Sequence, residues 1–323
     1  MNLQIETKCP TTWKFDYESD TPELDNLYEL AKRDQWNVSV DIDWDQSMRE
    51  DSDVFSRAET GIAQTEFFGK LSKSTQSDLL ANMAGWTLSQ FLHGEQGALL
   101  CCGQLVDSVP TIEGKLYAAT QVMDEARHVE VFDRYLNKLD GKYPVAPALK
   151  KVLDAILAAD TWQAKSVGMN ILVESLAMGT FYNMMIQAED PLLASIVRLT
   201  AQDEARHVNF GIISLAKEIP TMSEEDRAAL EDFGLAAIGM LLGQGDEDGI
   251  DQSKPFTDAG IDPADLKDVL GPQIEQADMA LLQGGSKQRS TVHEYMVPNL
   301  GKIGLLSDRI RPTYVKYGLI QEG

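Results

Sequence analysis

The hexapeptide Asp-Glu-Ala-Arg-His-Val occurs twice, at residues 124–129 and 203–208, an offset of 203 − 124 = 79. Each copy lies in a run of helix formers with apolar residues at three- and four-residue spacing. On a helix, Glu and His three residues apart project from one face. Glu125 with His128, and Glu204 with His207, are therefore two-pronged ligand pairs. One Glu-x-x-His is weak evidence, because the spacing arises by chance on solvated helices. The same pair twice within identical flanks is far more specific.

The duplication reaches further back in each half. Glu95 precedes Glu125 by 125 − 95 = 30 residues and Glu174 precedes Glu204 by 204 − 174 = 30, with 174 − 95 = 79 once more. The two midpoints fall in turn chemistry, at Pro110 of Asp107-Ser108-Val109-Pro110 and at residue 189 beside Asp190-Pro191. Each carboxylate then sits roughly 22 Å along its helix from the turn, level with its partner in an antiparallel pair. One helical hairpin is written twice.

Two facing hairpins bring four carboxylates and two imidazoles to one point inside a bundle. Phe91, Leu92, Ala98 and Leu99 flank Glu95, and Ile171, Leu172, Val173, Leu176 and Ala177 flank Glu174, so both acids lie in apolar sequence. Without a cation such a cluster loses hydration and repels itself. Two divalent or trivalent ions remove the difficulty, and four Glu with two His suit iron or manganese better than a thiolate-loving metal. Asp124 and Asp203 are expected to orient the histidines, each across the bundle, with Arg127 and Arg206 pairing with these acids.

Helices are expected at about 57–72, 75–107, 112–139, 146–158, 161–188, 192–218 and 223–243, with a shorter pattern at 23–32. Residues 1–55 read as an extension wrapped on the body, 56–243 as the di-metal helical domain, and 244–323 as an acidic loop with a helical appendage. The fold class is all-α, a four-helix bundle core with extra N- and C-terminal helices. The tail containing Arg309-Ile310-Arg311-Pro312 carries no assignable chemistry.

With 28 Lys and Arg against 51 Asp and Glu the net charge is −23, which repels phosphate backbones and anionic lipid, so neither nucleic acid nor membrane is an expected partner. The longest nearly apolar stretch, 234–243, is about half of what a membrane-spanning helix needs. No secretory signal opens the chain, so the expected address is the cytoplasm. Cys101 and Cys102 form no disulfide or CxxC pattern and read as packing. His93 is about 200° around its helix from Glu95, and His293-Glu294 lacks the second His of a zinc protease motif; both read as structural.

Glu95, Glu125-Ala126-Arg127-His128, Glu174 and Glu204-Ala205-Arg206-His207 resemble the ligand set of the ferritin-like di-iron carboxylate superfamily. The likeness covers about residues 56–220. The Asp-Glu-x-Arg-His form resembles multicomponent monooxygenase hydroxylases, p-aminobenzoate N-oxygenase-type enzymes and ribonucleotide reductase small-subunit-like oxidases. Gln35-Trp36 to Ile42-Asp43-Trp44 is similar to the N-terminal arm of the last group. The resemblance implies two Fe ions or a Mn/Fe pair as cofactor, O2 as co-substrate, an external electron donor (a ferredoxin or reductase), and a homodimer. It implies an oxygenase or oxidase that hydroxylates, N-oxygenates or desaturates a small organic substrate. The alternative is a radical generator for a partner enzyme, with Trp36 or Trp44 opening an electron path and Tyr135 as a redox candidate. Iron storage is disfavoured, since a cage subunit does not need this length. Three departures separate the chain from the individual subfamilies. Phe132 stands where the tyrosyl-radical subunits carry Tyr, Met178 where the hydroxylases carry Thr, and Thr200 where the N-oxygenases carry a further His.

Overall fold

The computed structural model describes residues 3–46, 53–139, 141–243, 253–262 and 286–321. These residues form helices α1 (Pro22–Arg33), α2 (Glu66–Lys70), α3 (Lys73–Ser108), α4 (Ile112–Leu139), α5 (Pro147–Ala158), α6 (Trp162–Ser166), α7 (Glu174–Gln187), α8 (Pro191–Glu218), α9 (Glu224–Leu241), α10 (Ser253–Asp258), α11 (Val297–Lys302) and α12 (Arg311–Lys316). No strand occurs among the described residues; one isolated bridge joins Phe55 to Ala188. Among them, no helix is long and apolar enough to cross a membrane.

The four long rods end where local chemistry stops them. Ser72 Oγ accepts from Thr75 N at 3.1 Å to open α3, and Val109-Pro110 closes it. Asp190 Oδ1 accepts from Leu192 N at 2.9 Å, and Pro191 fills the first turn of α8. Helices α3 and α4 pack as one antiparallel hairpin, and α7 and α8 as the other. The repeat thus becomes a four-helix bundle, with α1 laid across α4 and α8.

Two expected helices are altered. Residues 57–72 are not one helix but two 3-10 turns, Arg57–Glu59 and Gly61–Gln64, followed by the short α2. Thr60 is extended, at φ −111° and ψ 119°, and Thr65 restarts the chain by capping Phe68 N at 3.2 Å. Ile62 and Phe68 are thereby turned into a small core with Leu79, Leu80 and Phe256. The segment over 161–188 is interrupted by a π-helical stretch, Val167–Val173, that ends immediately before Glu174. Such a bulge shifts everything that follows it around the helix axis, and bulges of this kind recur at functional sites. Helix α3 has no such interruption before Glu95.

The C-terminal appendage is tied back to the body. Arg309 pairs with Glu231 at 2.7 Å and Asp232 at 2.8 Å on α9. Asn299 Nδ2 donates to Ser175 Oγ at 2.8 Å, beside Glu174. Tyr135, fully buried, donates to Asp190 Oδ2 at 2.6 Å, so it latches α4 to the cap of α8.

Two substitutions test this packing. Tyr135→Phe leaves a buried Asp190 oxygen without its donor and is expected to cost about 1–3 kcal/mol in denaturant unfolding; a change below a few tenths would contradict the latch. A Cβ on Gly211 would lie 2.6 Å from Asn170 Cβ. Gly211→Ala is therefore expected to destabilise by about 1–3 kcal/mol through overpacking, and an unchanged midpoint would contradict that contact.

Candidate metal centre

The six repeat-derived residues meet at one place. Glu95 comes from α3, Glu125 and His128 from α4, Glu174 from the first turn of α7, and Glu204 and His207 from α8. All six side chains are buried. His128 Nδ1 lies 3.2 Å from Glu95 Oε2, 3.3 Å from Glu125 Oε2 and 3.3 Å from Glu204 Oε1. His207 Nδ1 lies 3.1 Å from Glu125 Oε1 and 3.5 Å from Glu204 Oε2. Glu125 and Glu204 therefore each offer one oxygen to either imidazole, which is bridging geometry. Glu95 stands on the His128 side only. Glu174 groups with Glu204 and His207 on the other.

The far nitrogen of each ring is held from the opposite repeat. His128 Nε2 faces Asp203 Oδ2 at 3.1 Å, and His207 Nε2 faces Asp124 Oδ2 at 3.2 Å. A carboxylate on Nε2 keeps a proton there and leaves Nδ1 as the nitrogen directed at the cluster, free to bind a metal once its own proton is lost. Arg127 Nη2 donates to Asp124 and, at 3.1 Å, to Asp203. Arg206 Nη2 donates to Asp203 and lies 3.6 Å from Asp124.

Several participants escape a reading of the repeat. Trp36 Nε1 donates to Asp203 Oδ2 at 2.7 Å, and Gln35 Nε2 donates to Asp124 Oδ1 at 3.0 Å. The segment after α1 thus caps both acids. Gln121 Nε2 donates to Glu125 Oε1 at 3.2 Å and to Glu174 Oε1 at 2.5 Å. Asn170 Nδ2 donates to Glu174 Oε2 at 3.0 Å and to Gln121 Oε1 at 3.2 Å. Each amide lies one turn before a repeat carboxylate, a position on the same helix face that could have singled it out. Cys102, read from sequence as packing, has its Sγ within 4.8 Å of Glu125 and Glu174 oxygens.

Other candidates serve the fold. His93 Nε2 contacts Tyr143 O at 2.9 Å, and His293 sits between Ser290 and the Gly318 carbonyl. Gly97 is closed by Leu153, and Gly179 by Thr291 and Tyr295, so these small residues admit neighbouring elements.

The electrostatics record what the cluster needs. Burial pushes Glu95 well above the usual carboxylate range, with His128 offsetting part of it. Burial does the same to Glu174, with His207 opposing. Burial also disfavours the Glu125 anion, but the His207 and His128 charges hold its pKa well below normal. Both imidazoles are pushed well above their ordinary value: burial opposes this, and Glu95 and Asp203 outweigh it at His128, Glu125 and Glu204 at His207. With no metal, the histidines must carry the positive charge themselves. Among the six converging residues, two buried atoms lack a hydrogen-bond partner, His207 Nδ1 and Glu204 Oε2. These two orphaned atoms, within a set of four carboxylates and two imidazole nitrogens turned inward, fit a pair of cations of the iron and manganese type.

A model of the p-aminobenzoate N-oxygenase family AurF matches residues 19–245, which is well over half of the chain. The chain belongs to the AurF family. It is thereby a di-iron-type oxidoreductase of the ferritin-like oxidase and oxygenase superfamily, and its buried carboxylate–histidine cluster has the donors to hold metal ions. A tyrosine-to-phenylalanine variant of an R2-like ligand-binding oxidase, with an aerobically reconstituted Mn/Fe cofactor, superposes with a TM-score of 0.50 at 20% identity, covering 86% of this chain and 96% of that one. A valine-to-leucine variant reconstituted anaerobically gives 0.50 at 21% identity over 86% and 96%. These likenesses share the ferritin-like fold. No curated protein matches the chain. In this AurF-family chain Thr200 is buried and its Oγ1 donates to Ile196 O at 3.1 Å, so it adds no ligand beside His207.

Two measurements follow. Asp203→Asn is expected to weaken metal binding ~10–100-fold by loosening His128; unchanged affinity in a titration would contradict the Asp–His arrangement. Because the metal-free imidazoles are held protonated and a ligand imidazole must be neutral, uptake near neutral pH expels protons and affinity strengthens as pH rises. A pH-independent affinity would contradict the assigned charge state.

Proposed function

We propose that Glu95, Glu125, His128, Glu174, Glu204 and His207 ligate two metal ions at which the protein reduces O2 and oxidises a small organic substrate as a monooxygenase. The observation that carries this reading is the shared reach of Glu125 and Glu204, each with one oxygen toward His128 Nδ1 and the other toward His207 Nδ1. Asp124, Asp203, Arg127 and Arg206 hold the rings, and Gln121 with Asn170 holds Glu174.

A bound iron pair, or a Mn/Fe pair like that of the R2-like oxidases, supplies the electron chemistry that no side chain here can perform. The chain's own part is orientation and exclusion of water. Phe132 lies one turn past His128 and Phe91 one turn before Glu95; their rings stack at 6.1 Å, and both meet Phe181, stacked at 5.7 Å from Phe132 and tilted at 4.4 Å from Phe91. This aromatic wall favours a planar, apolar substrate, and the AurF family name makes an arylamine, oxidised at nitrogen, the first to try. Electrons come from an external ferredoxin or reductase. Trp36, donating to the Asp203 that holds His128, is the entry point.

The same Trp36–Asp203–His128 chain favours a second reading, radical generation for a partner enzyme. Phe132, fully buried among aromatic rings, stores no radical. Tyr135 is engaged by Asp190.

Anaerobic loading with Fe(II), rapid mixing with O2, and optical and Mössbauer recording on one sample separates the readings. Two irons per chain and a transient species whose decay is accelerated by an arylamine are the expected result. A persistent organic radical indifferent to substrate would favour the second reading, and failure to take up metal would contradict both. Trp36→Phe is expected to slow reduction by the external donor without changing metal stoichiometry; equal rates would remove Trp36 from the path.

A further inference from the structure

Cys101 and Cys102 are both fully buried neighbours on α3, yet they face different surroundings. Cys101 Sγ is directed to the Lys165 carbonyl at 4.0 Å. Cys102 lies seven residues, or two turns, past Glu95 on the same helix face. Its Sγ and one carboxylate oxygen each of Glu125 and Glu174 all lie within 4.8 Å of one another. The unpartnered His207 Nδ1 is directed at the same Glu125, 3.1 Å from its Oε1, and the unpartnered Glu204 Oε2 lies 3.5 Å from that nitrogen. Cys102 therefore borders the space in which donor atoms are left without partners. In the other repeat this position, 102 + 79 = 181, is Phe181, part of the aromatic wall. One half of the centre is thus lined by rings and the other by an oxidisable sulfur.

We propose that Cys102 is the first protein group oxidised at this centre when O2 is reduced there with no organic substrate bound. The proposal rests on the O2-reducing reading above. The thiol, O2, two electrons and two protons give a sulfenic acid and one water. The O–O bond breaks, one oxygen enters between sulfur and hydrogen, and the other leaves as water. O2 accepts four electrons in all, two from the thiol and two from the ferrous pair, which becomes diferric. The sulfenic acid places a new polar group beside Glu174 and Glu125, where it competes for the Gln121 amide that holds both carboxylates. A thiol reductant returns it to the thiol, whereas a second oxidation to the sulfinic acid does not revert.

The test uses the full chain loaded anaerobically with Fe(II) and then given O2 without organic substrate, with O2 uptake recorded. The peptide containing both cysteines is then fragmented in a mass spectrometer. The expected result is one added oxygen atom on Cys102, none on Cys101, none in metal-free protein given the same O2, and loss of the adduct with dithiothreitol. O2 uptake with Cys102 unmodified, or equal modification of Cys101, would overturn the proposal and leave the O2-reducing reading standing. Absence of O2 uptake would overturn both. Cys102→Ala is expected to bind the same number of metal ions as the parent; loss of one ion would make Cys102 a ligand and also overturn the proposal.

Discussion

Burying negative charge without water is the constraint to which the rest of this bundle answers. Six acids, Glu95, Asp124, Glu125, Glu174, Asp203 and Glu204, share one interior with two guanidinium groups, Arg127 and Arg206. With neutral imidazoles the cluster carries 2 − 6 = −4, a charge that two divalent cations balance. Without them the imidazoles must be protonated and two of the carboxylates are pushed toward the neutral acid. The buried Asp–Arg–Asp–Arg arrangement belongs to the same accounting: each arginine touches both aspartates, so neither acid is left with an uncompensated charge.

The ligands obey the repeat and their surroundings do not. One turn before Glu174 stands Asn170, whereas one turn before Glu95 stands Phe91; one turn before Glu125 stands Gln121, whereas one turn before Glu204 stands Thr200. The Glu174 half is therefore hydrogen-bonded and the Glu95 half apolar. The π-helical stretch Val167–Val173 belongs to the polar half alone and carries Asn170 to the centre. Gly211 leaves the space that Asn170 fills. Two halves with the same donors but different neighbours can give two metals different tasks.

The sequence made the bundle and the six converging residues legible because a duplicated hexapeptide and two matched 30-residue intervals constrain helix pairing at several points at once. Local pattern failed where tertiary contacts decided the outcome. Residues 57–72 have helix-like apolar spacing, but Ile62 and Phe68 are drawn toward Phe256, distant in sequence, and Thr60 and Thr65 offer places to break. Gln121 and Asn170 had only their place one turn before a repeat carboxylate to mark them, and that Gln121 reaches Glu174, or that the Cys102 thiol nears Glu125 and Glu174, is decided only when the facing helices are placed. Trp36 and Gln35 lie in a non-helical segment whose landing point on Asp203 and Asp124 no local spacing could give.

Anomalous X-ray diffraction from iron-loaded crystals, recorded on both sides of the iron absorption edge, bears most directly on the central claim. The account predicts two anomalous peaks inside the bundle, one next to His128 Nδ1 and one next to His207 Nδ1, with Glu125 and Glu204 between them. A single peak, or peaks away from these two nitrogens, would contradict it.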